Sequence, residues 1–357
     1  PACYDAMAAT QRLVELGPDA VELVDQTMIE LAAEIPQFQV KLKRFVNGKP
    51  GSLLLVEFAG AELDSLKHKL RELDELMAAH GFPDAVVEAI DPGLQKEVWE
   101  VRKSGLNIMM SMKGDGKPVS CIEDCAVELT DLAEYTSRLN ELFAKYGTTG
   151  TWYAHASVGC LHVRPVLNLK QEMDAKKLRA ITEETFAIVR EYKGSHSGEH
   201  GDGLVRSEFH EVMYGKRLVK AFEEIKHIFD PRDLLNPGKI VQPSRMDDRR
   251  LFRYGPDYRQ SSLPTGLDWS EWGGFDRAVE MCNNNGACRK FNTEVMCPSY
   301  RVTRDERHLT RDEQMHCDSR FPDSWGRRRL PPRTCMKPCG SAWVARRVEG
   351  NAPLEWI

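Results

Sequence analysis

Residues 151–203 restrict the possible folds more than any other stretch. TWYAHASVGCLHVRPVLNL reads as two strands meeting at a glycine, and Met173, Leu178, Ile181, Phe186 and Val189 then repeat at helical spacing. On one unbroken strand His155 and His162 would face opposite ways, because side chains alternate with a period of two. A turn or bulge at Gly159 brings both imidazoles to one side. The stretch closes on SGEHGDG, with Glu199 and His200 between glycines. Imidazole and carboxylate form a ligand set for divalent metals, and a histidine beside such a site is a natural proton acceptor. Hydrogen-bonded scaffold is the alternative for two histidines in a β-rich stretch. A carboxylate and an imidazole buried together are costly unless paired, which favours a site.

The rest of the chain follows the same alternation of elements. Residues 4–15 have helical apolar spacing, and VELVDQTMIELA reads as strand then helix. SLLLVEF from Ser52 is a strand, and Leu63, Leu66, Leu70, Leu73 and Met77 mark an amphipathic helix over about 61–80. DAVVEAI reads as a strand, GLQKEVWEVRKSGL as a helix, KPVSCIEDCAVEL as a strand, and TDLAEYTSRLNELFAKYG as a helix ending at Gly147. RLVKAFEEIKHIF is a last amphipathic helix, stopped by Pro231. The expected fold is α+β, an antiparallel sheet with helices on one face, like a duplicated ferredoxin-like unit.

Three ordered motifs carry a resemblance. HASVGCLH is similar to the H-x-G-D-G-N-L-H motif of the FAD-linked oxidase C-terminal (cap) domain, as found in flavin-dependent D-lactate, glycolate and D-2-hydroxyglutarate dehydrogenases of the vanillyl-alcohol oxidase superfamily. SGEHGDG resembles that family's S-x-E-H-G-x-G, and DPRDLLNPGKI resembles its closing F-D-P-x-x-x-L-N-P-G-K. The resemblance implies His155, His162 and Glu199 as ligands of a divalent metal of the zinc or manganese class, and His200 as catalytic base. It implies Arg102, in EVWEVRKSG, as a substrate-carboxylate arginine, and Asn236 and Lys239 as flavin-edge residues. The plainer readings are a solvated helix arginine and a turn at Asn236-Pro237-Gly238. Val158 and Cys160 stand where the motif has Asp and Asn. Arg164 stands where relatives often carry Asn, and is a second candidate for a substrate carboxylate.

These motifs place the cap domain at 1–241. Residues 242–275, rich in Pro, Gly, Ser and charge, read as a linker. The segment 276–311 resembles the first half of the iron–sulfur domain that some large FAD-linked dehydrogenases carry after the cap, an incomplete ferredoxin-type helical piece. Cys282, Cys288 and Cys297-Pro298 are its candidate 4Fe–4S ligands, spaced more loosely than C-x2-C-x2-C-x3-C-P, with zinc as the alternative. Three cysteines cannot close a cluster, so a fourth ligand must come from elsewhere.

Beyond Arg311 periodicity collapses. Codons rebuilt from the third base of each residue and the first two of the next permit GRANALRLALSGQLG from Arg311 and CVGCKACRGECPTGVD from Ser341. The second string is a complete four-cysteine cluster run. Residues 312–357 are therefore expected to be a frameshifted translation, in which Cys317, Cys335 and Cys339 carry no chemistry. The competing reading is a basic tail that binds a partner.

The 357 residues suffice for two domains. A net charge of -5 gives no nucleic-acid footprint, and no apolar run is long enough for a transmembrane segment. No leader follows Pro1, and the missing initiator Met leads to the expectation of a fragment. Seven of the ten cysteines lie after residue 159, in ligand-like rather than disulfide spacing. A cytoplasmic location is expected, including one peripheral to the inner face of the membrane. Residues 1–50 lack the Gly-rich, strand-heavy content that holds a dinucleotide, so the chain alone is expected to bind FAD weakly and not to turn over. The parent function implied is a flavin-dependent D-2-hydroxy acid dehydrogenase passing electrons through iron–sulfur clusters to a quinone or redox protein. The alternatives are a non-redox metal-binding α+β domain and an electron-transfer subunit of a glycolate-oxidase-like complex.

Overall fold

A computed structural model describes residues 2–256, 258–260, 265–291 and 296–309. The segment read as frameshifted lies outside the described residues. In chain order the elements are α1 (Ala2–Leu13), β1 (Ala20–Asp25), α2 (Gln26–Glu34), α3 (Pro36–Leu42), β2 (Ser52–Glu57), α4 (Leu63–Ala79), α5 (Pro92–Lys103) and α6 (Gly105–Met110). Then come β3 (Lys117–Pro118), β4 (Cys125–Ala126), α7 (Leu132–Lys145), β5 (Gly150–His155), β6 (Cys160–Leu167), α8 (Glu172–Glu191), α9 (Gly203–Arg206), α10 (His210–Tyr214) and α11 (Lys216–Phe229). Two short helices, α12 (Phe275–Glu280) and α13 (Pro298–Thr303), follow.

The described residues divide into two compact units, one formed by those within 1–105, 118–167 and 175–248, the other by 106–117, 168–174 and those from 249 to 309. The first holds a single sheet of order β2-β1-β5-β6-β3, with β4 also pairing β6. β1 runs antiparallel to β2 and β5, and β6 to β5 and β4, so the expected antiparallel α+β architecture is found. Period-two alternation sorts the strands. Val21, Leu23, Trp152, Ala154, Leu161 and Val163 form an apolar face and are buried. Helix α1 lies on α7 and on β1–β2, and Phe143 of α7 packs its ring on Trp152 at 5.9 Å.

Helices on one face is too simple a description. At the β1–β2 end of the other face, Val24, Leu53 and Leu55 line a small apolar cavity together with Met28 of α2, Leu42 of α3, and Val98 and Val101 of α5. Those side chains are apolar and need cover. Asp25 starts this covering layer: one carboxylate oxygen caps α2 by accepting from the Met28 amide at 2.7 Å, and the other accepts from the Trp152 amide at 2.9 Å. Asp91 caps α5 in the same way, with Pro92 at the first turn.

Two predicted strands are corrected. DAVVEAI is irregular and largely exposed, because apolar residues at its core have no sheet edge to join. KPVSCIEDCAVEL is not one strand but the two-residue strands β3 and β4 around a loop. The break falls at Asp124, whose φ of 78° is left-handed backbone that a continuing strand cannot hold.

In the second unit, Lys170 lies between Asp115 and Glu280, and Cys288, Cys297 and Leu309 share a small core with Met296 and Tyr300. Among the described residues no helix is long and apolar enough to cross a membrane.

Candidate active site

The polar face of the sheet collects side chains from three adjacent strands. Glu22 is paired with His155 across β1–β5, and Tyr153 with His162 and Thr151 with Arg164 across β5–β6. A short 3-10 segment, Ala156–Val158, ends at Gly159 with φ 68°, and this turn returns His162 to the side of His155. A Cβ on Gly159 would lie 2.0 Å from the Val127 carbonyl oxygen, so both the space and the backbone conformation require glycine. The His155 and His162 rings end 4.8 Å apart, and His200 stacks on His162 at 5.0 Å.

Residues 197–200 reach the sheet because Asp124 holds them. Its amide donates to the Leu161 carbonyl at 2.8 Å and its carbonyl accepts from the Gly198 amide at 2.6 Å. Its carboxylate accepts from the Glu199 and His200 amides, both at 2.9 Å, and from the Ser197 hydroxyl at 2.8 Å. Burial alone would raise the Asp124 carboxyl. The His200 amide, the Ser197 hydroxyl and the Glu199 amide outweigh it and hold the group below the usual carboxylate range.

One carboxylate oxygen stands at the centre of this arrangement. Glu199 Oε1 is 3.3 Å from His155 Nε2, 3.3 Å from His162 Nε2 and 3.2 Å from His200 Nε2. Imidazole nitrogens and a carboxylate oxygen are donors for a divalent cation, and the groups here whose ligand atoms all lie within 4.8 Å of one another are Asp124–Cys160–His162–Glu199 and Glu123–His162–His200, with His155 beside them. Glu22 lies 2.7 Å from His155 Nδ1, and this hydrogen bond holds the His155 imidazole above its ordinary range, so a cation at Nε2 would have to displace a proton. Cys160 is close, with Sγ 3.5 Å from Asp124 Oδ1, but burial and then the Asp124 charge push its thiol up. Without a cation it is a protonated neighbour; a bound cation would draw off that proton, and Asp124, Cys160, His162 and Glu199 form one convergent ligand group.

Beneath the histidines lies a floor of buried ion pairs. Arg102 donates to Glu22 and stacks over Tyr153 at 4.9 Å. Arg164, 4% exposed, donates through Nε and Nη2 to both oxygens of Glu123, and through Nη2 to the Tyr153 hydroxyl at 3.0 Å. Each guanidinium thus faces a protein carboxylate, and Arg102 Nε, also buried, makes no hydrogen bond. Asn236 and Lys239 lie after α11 on an irregular segment, Asn236 exposed with φ 50° and Lys239 half-buried. Among the described residues, Cys282, Cys288 and Cys297 form no convergent ligand group.

Glu22, Glu123 and Asp124 were not singled out in the sequence. Their signal was there: a carboxylate inside VELVD and two inside CIEDCAV, each within an otherwise apolar run. An acid at such a position is buried and must have a partner.

Burial, reinforced by the His155 and His200 imidazoles, lowers His162 to about 4. An unfolded histidine titrates at about 6.5, so between these values the unfolded chain takes up a proton that folded His162 refuses. Its contribution to stability is therefore lost as pH falls through that window. In chelator-treated protein, His162→Gln is expected to flatten the fall in stability between pH 6.5 and 4 by about 2 kcal/mol. Denaturant titrations of both chains across that range check this, and parallel pH profiles would refute it.

Residues 1–240 match the family of FAD linked oxidases, C-terminal domain. A D-2-hydroxyglutarate dehydrogenase from Pseudomonas putida is 30% identical over 310 residues, covering 85% of this chain and 30% of that protein. One from Escherichia coli is 28% identical over 324 residues, with 85% and 31% covered. A D-lactate dehydrogenase from Anaerostipes hadrus is 27% identical over 228 residues, with 63% and 46% covered. The chain thus spans about a third of the length of the D-2-hydroxyglutarate dehydrogenases it matches. Coverage of 85% is more than residues 1–240 can supply, so those matches extend beyond the family domain.

Proposed function

The chain belongs to the family of FAD-linked oxidase C-terminal domains, and from that premise we propose that it is the substrate-facing part of a flavin-dependent D-2-hydroxy acid dehydrogenase. The observation that carries the proposal is the meeting of three imidazole nitrogens at Glu199 Oε1. This donor set suits a divalent cation of the zinc or manganese class, held by His155, His162 and Glu199. When bound, the cation supplies charge that acidifies a substrate hydroxyl, and FAD supplies the acceptor for the hydride on Cα.

The residues of the chain have distinct parts in this reading. His162 stays neutral at physiological pH and so keeps a lone pair for ligation. Glu22 fixes the tautomer of His155, and Arg102 fixes Glu22. His200, 43% exposed at its side chain, takes the hydroxyl proton at Nε2 as the Cα hydride leaves, giving the 2-oxo acid. Arg164 and Glu123 form the charge-balanced floor; a substrate carboxylate reaches Arg102 or Arg164 only by displacing its partner. Asn236 and Lys239 are assigned to the flavin edge.

Cys282, Cys288 and Cys297 are proposed as part of the ligand set of an iron–sulfur centre. The support is the shared core of Cys288 and Cys297 and the extension of the D-2-hydroxyglutarate dehydrogenase matches past residue 240. A quinone or redox protein is the proposed acceptor class.

The test is dye reduction by the FAD-loaded full-length protein with the D and L enantiomers of lactate and 2-hydroxyglutarate. Reduction with a D enantiomer, lost on chelation and restored by zinc or manganese, is expected. A flavin that no D-2-hydroxy acid bleaches would overturn the proposal.

A further inference from the structure

A second cluster lies on the other side of the Glu199–His200 loop. His196 precedes that loop, Asp202 follows it, and His210 opens α10. His196 is fully buried and His210 is 2% exposed. His196 Nε2 is 3.2 Å from Asp202 Oδ1, and His210 Nε2 is 2.8 Å from Asp202 Oδ2. One ligand atom from each residue lies within 4.8 Å of those of the other two.

These contacts are short but badly aimed. His196 Nε2, His210 Nε2 and Asp202 Oδ1 are buried and satisfy no hydrogen bond, despite the separations just given. Had the two imidazoles evolved to hydrogen-bond the carboxylate, their N–H vectors would point along the N···O lines. Off-axis approach is what ligands of a shared ion show, because each lone pair aims at the centre of the polyhedron rather than at a neighbouring donor. Tetrahedral ligands at about 2.1 Å from a zinc ion lie about 3.4 Å from one another; the 3.2 Å between His196 and Asp202 is close to this, and the 2.8 Å between His210 and Asp202 must open to admit an ion. Two buried imidazoles whose Nε2 atoms satisfy no hydrogen bond carry a desolvation cost that a shared ion would offset.

The surroundings also suit ligation. The Tyr214 hydroxyl is 3.5 Å from His196 Nδ1; in the tautomer where Nδ1–H donates to that oxygen, Nε2 carries the lone pair. Phe186 packs edge-on against His196 at 5.2 Å and Phe222 against His210 at 5.9 Å, walls that keep water away.

We propose that His196, Asp202 and His210 form a second divalent-metal site of the zinc class, separate from the His155–His162–Glu199 cluster. The ion at this site is structural. It ties both ends of the loop bearing Glu199 and His200 to the start of α10.

The experiment removes the first cluster and asks what remains. The full chain carrying His162→Gln and Glu199→Gln is stripped with chelator, reloaded with zinc alone, desalted and analysed for metal. About one zinc per chain is expected, with a raised melting temperature, and both are lost on adding Asp202→Asn. His210→Gln serves as the second variant and is expected to lose the same equivalent. Cobalt loaded in place of zinc gives a visible ligand-field band that either substitution abolishes. Folded His162→Gln/Glu199→Gln protein without zinc, or with zinc unchanged by Asp202→Asn and His210→Gln, overturns the proposal. Neither readout involves flavin or turnover, so failure of the dehydrogenase reading leaves this site standing, and the converse also holds.

Discussion

Replacing His200 with glutamine is expected to lower the turnover number of the flavin-loaded, full-length enzyme by about 100- to 10,000-fold, the usual range for loss of a general base. His200 stands in the cluster without being needed to complete it. Its Nε2 is 3.2 Å from Glu199 Oε1, while its Nδ1 is 3.6 Å from Glu123 Oε1, beyond hydrogen-bond reach. The backbone at this position is fixed by Asp124 through the His200 amide and does not depend on the imidazole. Glutamine should therefore keep the loop, the metal content and the substrate KM, and lose only the proton acceptor. Transient kinetics of flavin reduction check this, with metal content measured on the same samples. A loss smaller than tenfold, or a loss of metal in parallel with activity, would take the base role away from His200.

Arg164→Met is expected to destabilise the chain by about 3–5 kcal/mol, the cost of breaking a buried ion pair from one side. Arg164 and Glu123 are both buried, and the guanidinium meets both carboxylate oxygens and the Tyr153 hydroxyl. Removing the cation leaves Glu123 uncompensated beneath His162 and His200, whose Nδ1 atoms lie 3.9 and 3.6 Å from it. The double variant Arg164→Met/Glu123→Met should recover much of the loss, because replacing both members of a buried pair with apolar groups is often close to neutral. Urea unfolding of the three chains makes the comparison. A single variant within about 1 kcal/mol of the parent would show that water screens this pair as it does surface pairs, and that the floor of the site is not closed.

Much of this was legible in the sequence where local rules decide. The strand pair around Gly159 and the long amphipathic helices were readable because their periodicities are strong and their ends carry Gly or Pro. The meeting of His155 and His162 followed from a turn at Gly159, and the structure shows that turn. The sequence was misread where tertiary context decides. DAVVEAI has the composition of a strand but no edge to pair with. KPVSCIEDCAVEL breaks at Asp124 because that residue serves residues 197–200, more than seventy positions away. The partners that Arg102 and Arg164 hold, Glu22 and Glu123, are distant in the chain and nothing local announces them. The His196–Asp202–His210 cluster escaped notice for a related reason. Its spacing of six and eight residues fits no regular element, and only the folded loop brings the three together.

Anomalous diffraction from crystals of the chain grown with zinc or manganese tests the central claim most directly. The expected result is a peak within about 2.0–2.2 Å of His155 Nε2, His162 Nε2 and a Glu199 carboxylate oxygen, with His200 Nε2 uncoordinated beside it. A well-ordered cluster with no peak among those three side chains, or a peak ligated by His200 in place of one of them, would contradict it.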